Sequence, residues 1–510
     1  MGRITVFALQ DCPHCKRSKA YLTERNIPYV EISLSTHPDK RTDMLSLADR
    51  LTVPQFFFNE NHVGGADDLI VLIDEWEEEE KHPTAFDYYE NEIKAKPDPT
   101  DPRLQVPTTP PVVEKPPPPS EDEKSVKMPD GTMASVLEVT LNLKEILPRS
   151  DLKYNLSIYR NAFTGTDAVA TLKKHFNLKT DDEATQFGKT LVAAQIIRHV
   201  VEEHDFKNEG LFYRLQCNQK PAILNSFRVW TERVDEDSMS LLNRAKRLLG
   251  KVESAVTSND GLVDYKNAHK NEYYPIFEEA ICELQGVHMG EMERGMKLAF
   301  GINLYNVMIK YAFVKRGIGN SNSSREAFFS GVKIDIGGDI LSCNDLEHGV
   351  LRGNQKPAYS LTTQFSGSDP RTRLSVENPD CRIHFALNCG AKSCPPVKNF
   401  SVLAIEEELR IVAQAFCEQD DNVKVDDKTN TLHLAMIFSW YRVDFAPSKK
   451  ELPAKVATFL RGEKKEKLQK MIDSGKAVKV QFNTYDWGTN ASEFVPFDGK
   501  LLKANTARLF

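Results

Sequence analysis

Short apolar runs and amphipathic segments alternate at the start of the chain. Residues 4–9 read as a buried strand, 17–25 as a helix, 29–32 as a second strand, 39–51 as a helix, 55–59 as a third strand and 67–80 as a closing amphipathic helix. Strands and helices in turn predict a small α/β domain over residues 1–90. The pattern then lapses. Eleven of the 27 prolines fall between positions 97 and 129, among Asp, Glu, Lys and Thr with few large apolar residues. Proline fixes φ and removes a backbone donor, so residues 91–132 are expected to form a semi-extended spacer rather than a ligand for proline-binding domains.

Helical spacing returns at 134–146, and again at Val169, Leu172 and Phe176 behind Gly165-Thr166-Asp167, with Thr166 as the expected N-cap. A longer helix is expected from Glu183 through Leu191, Ala194 and Ile197. Glu209-Gly210 then turns the chain into 211–215, which alternates like a strand. Residues 133–218 are therefore expected as a compact helical domain with a small β wing. Val234, Leu241, Leu248 and Val252 continue a helical period through a connecting region, 219–272. A larger α+β domain is expected over 273–490, then a tail, 491–510.

With 510 residues the chain is too long for one core, and 40% hydrophobic with 27% charged residues is ordinary for folded soluble protein. The net charge of −7 argues against a nucleic-acid-coating protein. The apolar stretch 191–201 is broken by Gln195 and Arg198, so no transmembrane segment is expected. The opening MGRITVFALQ lacks the features of a signal peptide. Val6 stands where a myristoylation signal wants Ser or Thr, and no lipid anchor is expected. Nine cysteines, an odd number over a long chain, fit a reducing cytosol better than a secreted disulfide framework.

The chemistry concentrates first in Cys12-Pro13-His14-Cys15, behind the first strand and at the start of a helix. Free backbone N–H groups and the helix dipole stabilise a thiolate there, and Cys15, one turn on, can resolve a mixed disulfide. The alternative, half of a zinc site, needs a second such pair, and the sequence has none. No metal site is expected.

Thr52-Val53-Pro54 precedes the third strand, and Gly64-Gly65-Ala66-Asp67-Asp68 precedes the closing helix; with the Cys12 motif, these residues resemble the glutaredoxin family across residues 1 to about 85. The resemblance implies a thioredoxin-like α/β fold, Cys12 and Cys15 as the catalytic pair, and glutathione as cofactor. It also implies a cis Pro54, glutathione contacts at Thr52, Val53 and Pro54, and a γ-glutamyl site at Gly65, Ala66 and Asp67. Disulfide or glutathionylated proteins would be the partners. Two positions depart from the family: Leu9 stands where a Lys or Arg is usual, which weakens the expected glutathione affinity, and His14 replaces a Tyr.

Residues 137–217 resemble the DEP family through Asn161-Ala162-Phe163-Thr164-Gly165-Thr166-Asp167-Ala168-Val169, Ala184, Phe187-Gly188 and Phe206-Lys207-Asn208-Glu209-Gly210-Leu211-Phe212-Tyr213. This implies a winged-helix-like fold that binds receptor tails or acidic membrane surfaces without catalysis. Lys144, Arg149, Lys153, Lys173 and Lys174 offer a basic patch, but acidic residues balance them, which reads as a solvated face.

Residues 277–487 resemble the family called domain of unknown function 547. The match rests on Phe300-Gly301-Ile302-Asn303-Leu304-Tyr305-Asn306, Leu346-Glu347-His348-Gly349-Val350-Leu351-Arg352, and Arg382-Ile383-His384-Phe385-Ala386-Leu387-Asn388-Cys389-Gly390-Ala391 with Ser393-Cys394-Pro395-Pro396. The resemblance brings no activity with it. Alternation predicts a strand over 382–388 with His384 on a polar face and Cys389 and Cys394 in the turn beyond. Candidate site residues are Asn303, His348, His384, Cys389 and Cys394. A thiol near an imidazole is the minimum for a Cys–His hydrolase or transferase. Packed core thiols, a metal set with His348 or His384, and a structural Asn–His network are the alternatives, and packed interior thiols are favoured. The expected function is a glutathione-linked thiol–disulfide oxidoreductase coupled to a DEP interaction module, cytoplasmic or peripheral at membranes. The alternative is a signalling adaptor with a weakly active glutaredoxin fold.

Overall fold

The first alternation folds into a four-stranded sheet flanked by helices, in a computed structural model that describes residues 1–9, 12–34, 36–37, 39–48, 50–78, 84–107, 125–231, 234, 237–258, 260–357 and 360–507. β1 (Ile4–Ala8) is buried along its whole length, pairs parallel with β2 (Tyr29–Ser33) and antiparallel with β3 (Gln55–Phe58). β4 (Asn61–Gly64) closes the order β2-β1-β3-β4. β4 lies outside the expected pattern because it is short and half exposed; a tight turn with Asn59 at φ 56° brings it back onto β3. The helices are α1 (Pro13–Glu24), α2 (Lys40–Ala48) and α3 (Ala66–Glu78). α1 opens four residues before the apolar period does, because Cys12 caps it and Pro13 suits the first turn.

Packing of this domain continues past residue 90. Tyr89 and Ile93 join the core of Ile4, Val6, Leu22, Phe56, Leu69 and Ile73, and Tyr88 stacks on Trp76 at 4.1 Å. Leu104 is buried too. Arg3 holds the following segment through Asp98 at 2.9 Å and the Leu104 carbonyl at 3.2 Å. At the other end of the expected spacer, Ser125–Lys127 pairs with Met133–Ser135, and Val126 is buried. Proline density misleads here because prolines such as Pro102 start a capped turn rather than a tether. The middle of the expected spacer, 108–124, lies outside the described residues.

The chain divides into two compact units: residues 1–118 with 398–433 and 453–479, and residues 119–397 with 434–452 and 480–510. In the first, Arg41 of α2 reaches the fully buried Glu408 of helix Ile405–Glu418 at 2.7 Å.

In the second unit a capping box of Ser135 and Glu138 starts helix Val136–Ile146, so the chain just before it is strand, not helix. Thr164, not Thr166, caps helix Gly165–His175, accepting the Asp167 N–H at 3.0 Å. Gly165 is required where it stands, since a Cβ would collide with the Lys207 carbonyl. Helix Asp181–Ala193 ends before Gln195 at φ 58°, so Ile197 belongs to a strand rather than to that helix. The wing is larger than expected. Ser157–Thr164 pairs with Ser150–Tyr154 and Phe212–Leu215, and the latter with Ile197–His199.

The tail is built into sheets as well. Asn505–Ala507 pairs with 157–159, and Ala491–Glu493 pairs with Val263–Asp264, because both offer backbone partners to exposed edges. The connecting helix runs over Ser238–Ala255, capped by Asp237, and leaves Val234 outside it. The largely buried helix Arg294–Arg316 packs against it. The strand expected at 382–388 is instead a 3-10 helix, Cys381–Phe385, because Asp380 accepts the Arg382 N–H at 2.9 Å and grips its guanidinium. Among the described residues no helix is long and apolar enough to cross a membrane.

Candidate active site

Cys12 stands at the junction of β1 and α1. Its backbone is extended, so its sulfur folds back over the first turn and accepts the Cys15 N–H at 3.3 Å. The thiol can also donate to the Val53 carbonyl, 3.6 Å away. Hydrogen bonding from the Cys15 side chain, helped by its backbone N–H, outweighs burial and holds the Cys12 thiol down at about 6. Cys15 is fully buried and pushed the other way, by its bond to the Cys12 sulfur first and by burial second. One thiol is thus ready to ionise while its neighbour holds its proton.

Two loops carry the other expected residues. The Val53–Pro54 peptide is cis, with Thr52 exposed and Val53 half-buried. Gly65 lies just before α3, and its N–H donates to Asp68 Oδ2 at 2.7 Å, while Arg50 pairs with the same carboxylate at 2.8 Å. Ala66 and Asp67 sit in the first turn, where backbone N–H groups have no helical partner. Asp67 pairs with Arg17 of α1.

A second constellation lines a cavity of about 660 Å³ in the other unit. Glu347 accepts from Tyr305 Oη at 3.0 Å and Tyr441 Oη at 2.6 Å. Buried Arg352 donates to Asp444 through Nε at 2.6 Å and Nη2 at 2.9 Å, and through Nη1 to His348 Nδ1 at 3.0 Å. His384 Nε2 lies 2.7 Å from Asp444 Oδ2, and its ring stacks on Tyr441 at 3.8 Å. Burial would raise Asp444, but hydrogen bonds from His384 and Arg352 hold it down at about 2. Burial, opposed by Glu347 and helped by Arg352, lowers the His348 imidazole.

At the cavity wall Cys389 and Cys394 are half-buried with their sulfurs 3.2 Å apart, and Tyr485 Oη lies 3.1 Å from Cys394 Sγ. His384 and the thiols therefore have separate hydrogen-bond partners within one cavity. Asn303 does not line it; its Oδ1 accepts from Lys246 Nζ at 3.0 Å. Among the described residues no group of three or more His, Cys, Asp and Glu side chains is placed to hold a metal ion.

Three family models match the chain in order: glutaredoxin at residues 4–63, the domain found in Dishevelled, Egl-10 and Pleckstrin (DEP) at 147–215, and the protein of unknown function DUF547 at 289–417. Glutaredoxin 3 of Escherichia coli (strain K12) is 35% identical over 72 residues, which are 14% of this chain and 87% of that protein. The chain belongs to the glutaredoxin family. Glutaredoxin 1 of Rickettsia conorii (strain ATCC VR-613 / Malish 7) is 41% identical over 71 residues, again 14% of this chain and 70% of its own. A solution structure of a glutaredoxin from Brucella melitensis is 38% identical, with 15% of this chain and 84% of its own covered and a TM-score of 0.14.

The glutaredoxin domain thus carries the Cys12 pair, and the DUF547 domain the second cavity, with a DEP domain between them in sequence. The structure brings His348, His384, Cys389 and Cys394 to one cavity and leaves Asn303 out. Asp444, Tyr441, Tyr485 and the flanking Trp440 and Trp487 have no counterpart among the sequence candidates. Asp444 is 60 residues from its partner His384, and only the density of aromatics in 438–441 hints at it.

Proposed function

We propose that this chain is a glutathione-linked thiol–disulfide oxidoreductase in which Cys12 attacks and Cys15 resolves. The observation that carries this reading is the Cys12 sulfur at a helix N-cap, hydrogen-bonded by Cys15 and held at about 6, so that it is a thiolate at neutral pH. The thiolate attacks the mixed disulfide of a glutathionylated protein, taking glutathione onto Cys12 and releasing the protein thiol. Either a second glutathione then removes the first as glutathione disulfide, or Cys15 gives up its proton, forms the Cys12–Cys15 disulfide and releases glutathione. Thr52, Val53 and Pro54 form the edge against which the tripeptide lies. The first-turn N–H groups at Ala66 and Asp67 suit its γ-glutamyl carboxylate, and Asp67 suits its ammonium group. The DEP domain is the element that would dock the chain on a receptor tail or an acidic membrane surface from the cytoplasm.

The adaptor reading has its own support: Leu9 supplies no cation for the glycyl carboxylate, and Asp68 already occupies the Gly65 N–H. Turnover decides between them. The full chain, with glutathione and a glutathionylated peptide, should release peptide thiol well above the rate with glutathione alone, and Cys12→Ser should return it to that rate. Wild-type protein no faster than glutathione alone would leave the adaptor reading standing.

A further inference from the structure

We propose that Cys394 and Cys389 form a second thiol–disulfide exchange centre, in the DUF547 cavity, which accepts the disulfides of small thiols. The two sulfurs are 3.2 Å apart, and both residues line the cavity. A disulfide bond is about 2.05 Å long, so the pair closes by a movement of roughly one ångström. Cys217, Cys282, Cys343 and Cys417 are by contrast buried and do not line this cavity.

The turn between the two thiols is held from several sides. Asn306 accepts the Asn388 N–H at 2.9 Å and donates to the Ala386 carbonyl at 3.1 Å. Asn388 accepts the Gly390 N–H at 2.7 Å and donates to the Pro395 carbonyl at 2.8 Å. Gly390 sits at φ 89° against the Phe313 ring, where a side chain would collide. The Lys392 N–H reaches the Gly488 carbonyl at 2.7 Å, and Ser393 Oγ accepts the Asp486 N–H at 2.8 Å. Such a scaffold fixes two cysteines five residues apart at the wall of the cavity.

The two sulfurs are not equivalent. Cys394 Sγ receives the Cys389 N–H at 3.3 Å and Tyr485 Oη at 3.1 Å, whereas Cys389 Sγ has the tyrosine at 3.7 Å. Bonding from Cys389 first, then Tyr485 against the cost of burial, holds Cys394 at about 7 and leaves Cys389 raised. The asymmetry repeats that of Cys12 and Cys15, where a backbone N–H of one cysteine also points at the sulfur of the other. Trp440, Tyr441 and Trp487 give the cavity apolar walls for the body of the substrate.

The exchange balances within named groups. The Cys394 thiolate attacks one sulfur of a disulfide RSSR, forming Cys394–S–S–R and expelling RS⁻, which takes a proton from water. Cys389 loses its proton to water and attacks Cys394 Sγ, forming the Cys389–Cys394 disulfide and expelling the second RS⁻. Two electrons pass from the protein dithiol to the substrate, and two molecules of a small thiol return the pair to the dithiol by the reverse steps.

The test uses the full chain with Cys12→Ser and Cys15→Ser, so that no other close thiol pair exchanges. The protein is equilibrated in buffers of varied glutathione to glutathione disulfide ratio, quenched in acid, unfolded, alkylated and mapped by mass spectrometry. Cys389 and Cys394 should lose alkylation together, giving a fragment lighter by two hydrogens, while the four buried cysteines Cys217, Cys282, Cys343 and Cys417 stay alkylated. Cys389→Ser should trap glutathione on Cys394, and Tyr485→Phe should slow iodoacetamide labelling of Cys394 at pH 7 several-fold. Two thiols that stay alkylated through the most oxidising buffer would overturn the proposal, as would glutathione accumulating on Cys394 of the protein with Cys389 intact. Because Cys12 and Cys15 are absent, neither result bears on the glutaredoxin site.

Discussion

The Cys15 N–H donates to the Cys12 sulfur at 3.3 Å, and that bond comes from the backbone, so it survives replacement of the Cys15 side chain. Cys12→Ser should abolish thiol exchange, whereas Cys15→Ser should keep exchange with glutathione mixed disulfides and lose reduction of protein disulfides through the dithiol route. Parallel assays on a glutathionylated peptide and a protein disulfide read this out. Equal loss in both variants would overturn the assignment of Cys12 as nucleophile and Cys15 as resolver.

The pH dependence of the same site follows from the depressed Cys12 thiol. With ionisation near 6, iodoacetamide labelling of Cys12 should rise through that pH and level off by about 7. At pH 5 it should be about tenfold below the plateau. A midpoint near 8.5, that of an ordinary thiol, would show that the helix start does not act on the sulfur as described.

Asp444 gives the DUF547 domain an acid limit. Its carboxyl sits at about 2 in the fold against about 3.9 unfolded, so its contribution is present in full above about pH 4 and fades as pH falls through 2. Two units correspond to roughly 2.5 kcal/mol. Asp444→Asn should remove that part of the acid dependence, and at pH 7 it should cost about 3 kcal/mol, because Arg352 stays buried without its countercharge. Denaturant unfolding at several pH values, followed by aromatic fluorescence, measures both effects.

How much of this was legible in the sequence depends on whether local pattern and long-range partner agree. β1 and the Cys12 motif are legible because an apolar run, a proline at a helix start and two cysteines one turn apart each carry their own signal. His384 is placed near a polar site by alternation, yet through the wrong element, since the Asp380 cap turns that segment into a 3-10 helix. Tyr485 beside Cys394, and Gly488, whose carbonyl takes the Lys392 N–H, lie about ninety residues beyond the cysteines, so no local pattern around Cys389 and Cys394 points to these neighbours. Ile93 hides for a similar reason: it is a lone large apolar residue in the polar run from Glu90 to Lys96, and only the core it fills reveals it.

That core contact predicts where the glutaredoxin domain ends. A fragment of residues 1–107 should unfold cooperatively, and one of 1–83 should be weaker by roughly 4 kcal/mol or fail to fold. Tyr89 and Ile93 each bury an apolar side chain worth about 2 kcal/mol, and Trp76 loses its stack on Tyr88. Equal stability of the two fragments would show that residues 84–107 add nothing to the domain.

The C-terminal strand should hold the DEP wing in place, and Arg214 is where this can be measured. Its guanidinium is fully buried, with Nε on the Arg160 carbonyl at 2.7 Å, Nη1 on Gln219 at 3.0 Å, and Nη2 on the Ala504 carbonyl at 3.1 Å and Asn505 Oδ1 at 2.9 Å. Burial lowers it only to about 10, so it is charged at neutral pH and needs these acceptors. Truncation after Lys503 removes two of them, and one of these, the Ala504 carbonyl, also receives the Arg160 N–H at 2.9 Å. Charge-assisted bonds of this kind are worth about 1.5–3 kcal/mol each, so the truncated chain should lose about 3 kcal/mol in the wing. Hydrogen exchange should speed up across Ser157–Thr164 and stay unchanged in α1. In an Arg214→Met background the same truncation should cost much less, because no buried charge remains to be stranded. If truncation costs the same in both backgrounds, Arg214 does not depend on the strand, and the tail is held by backbone pairing alone.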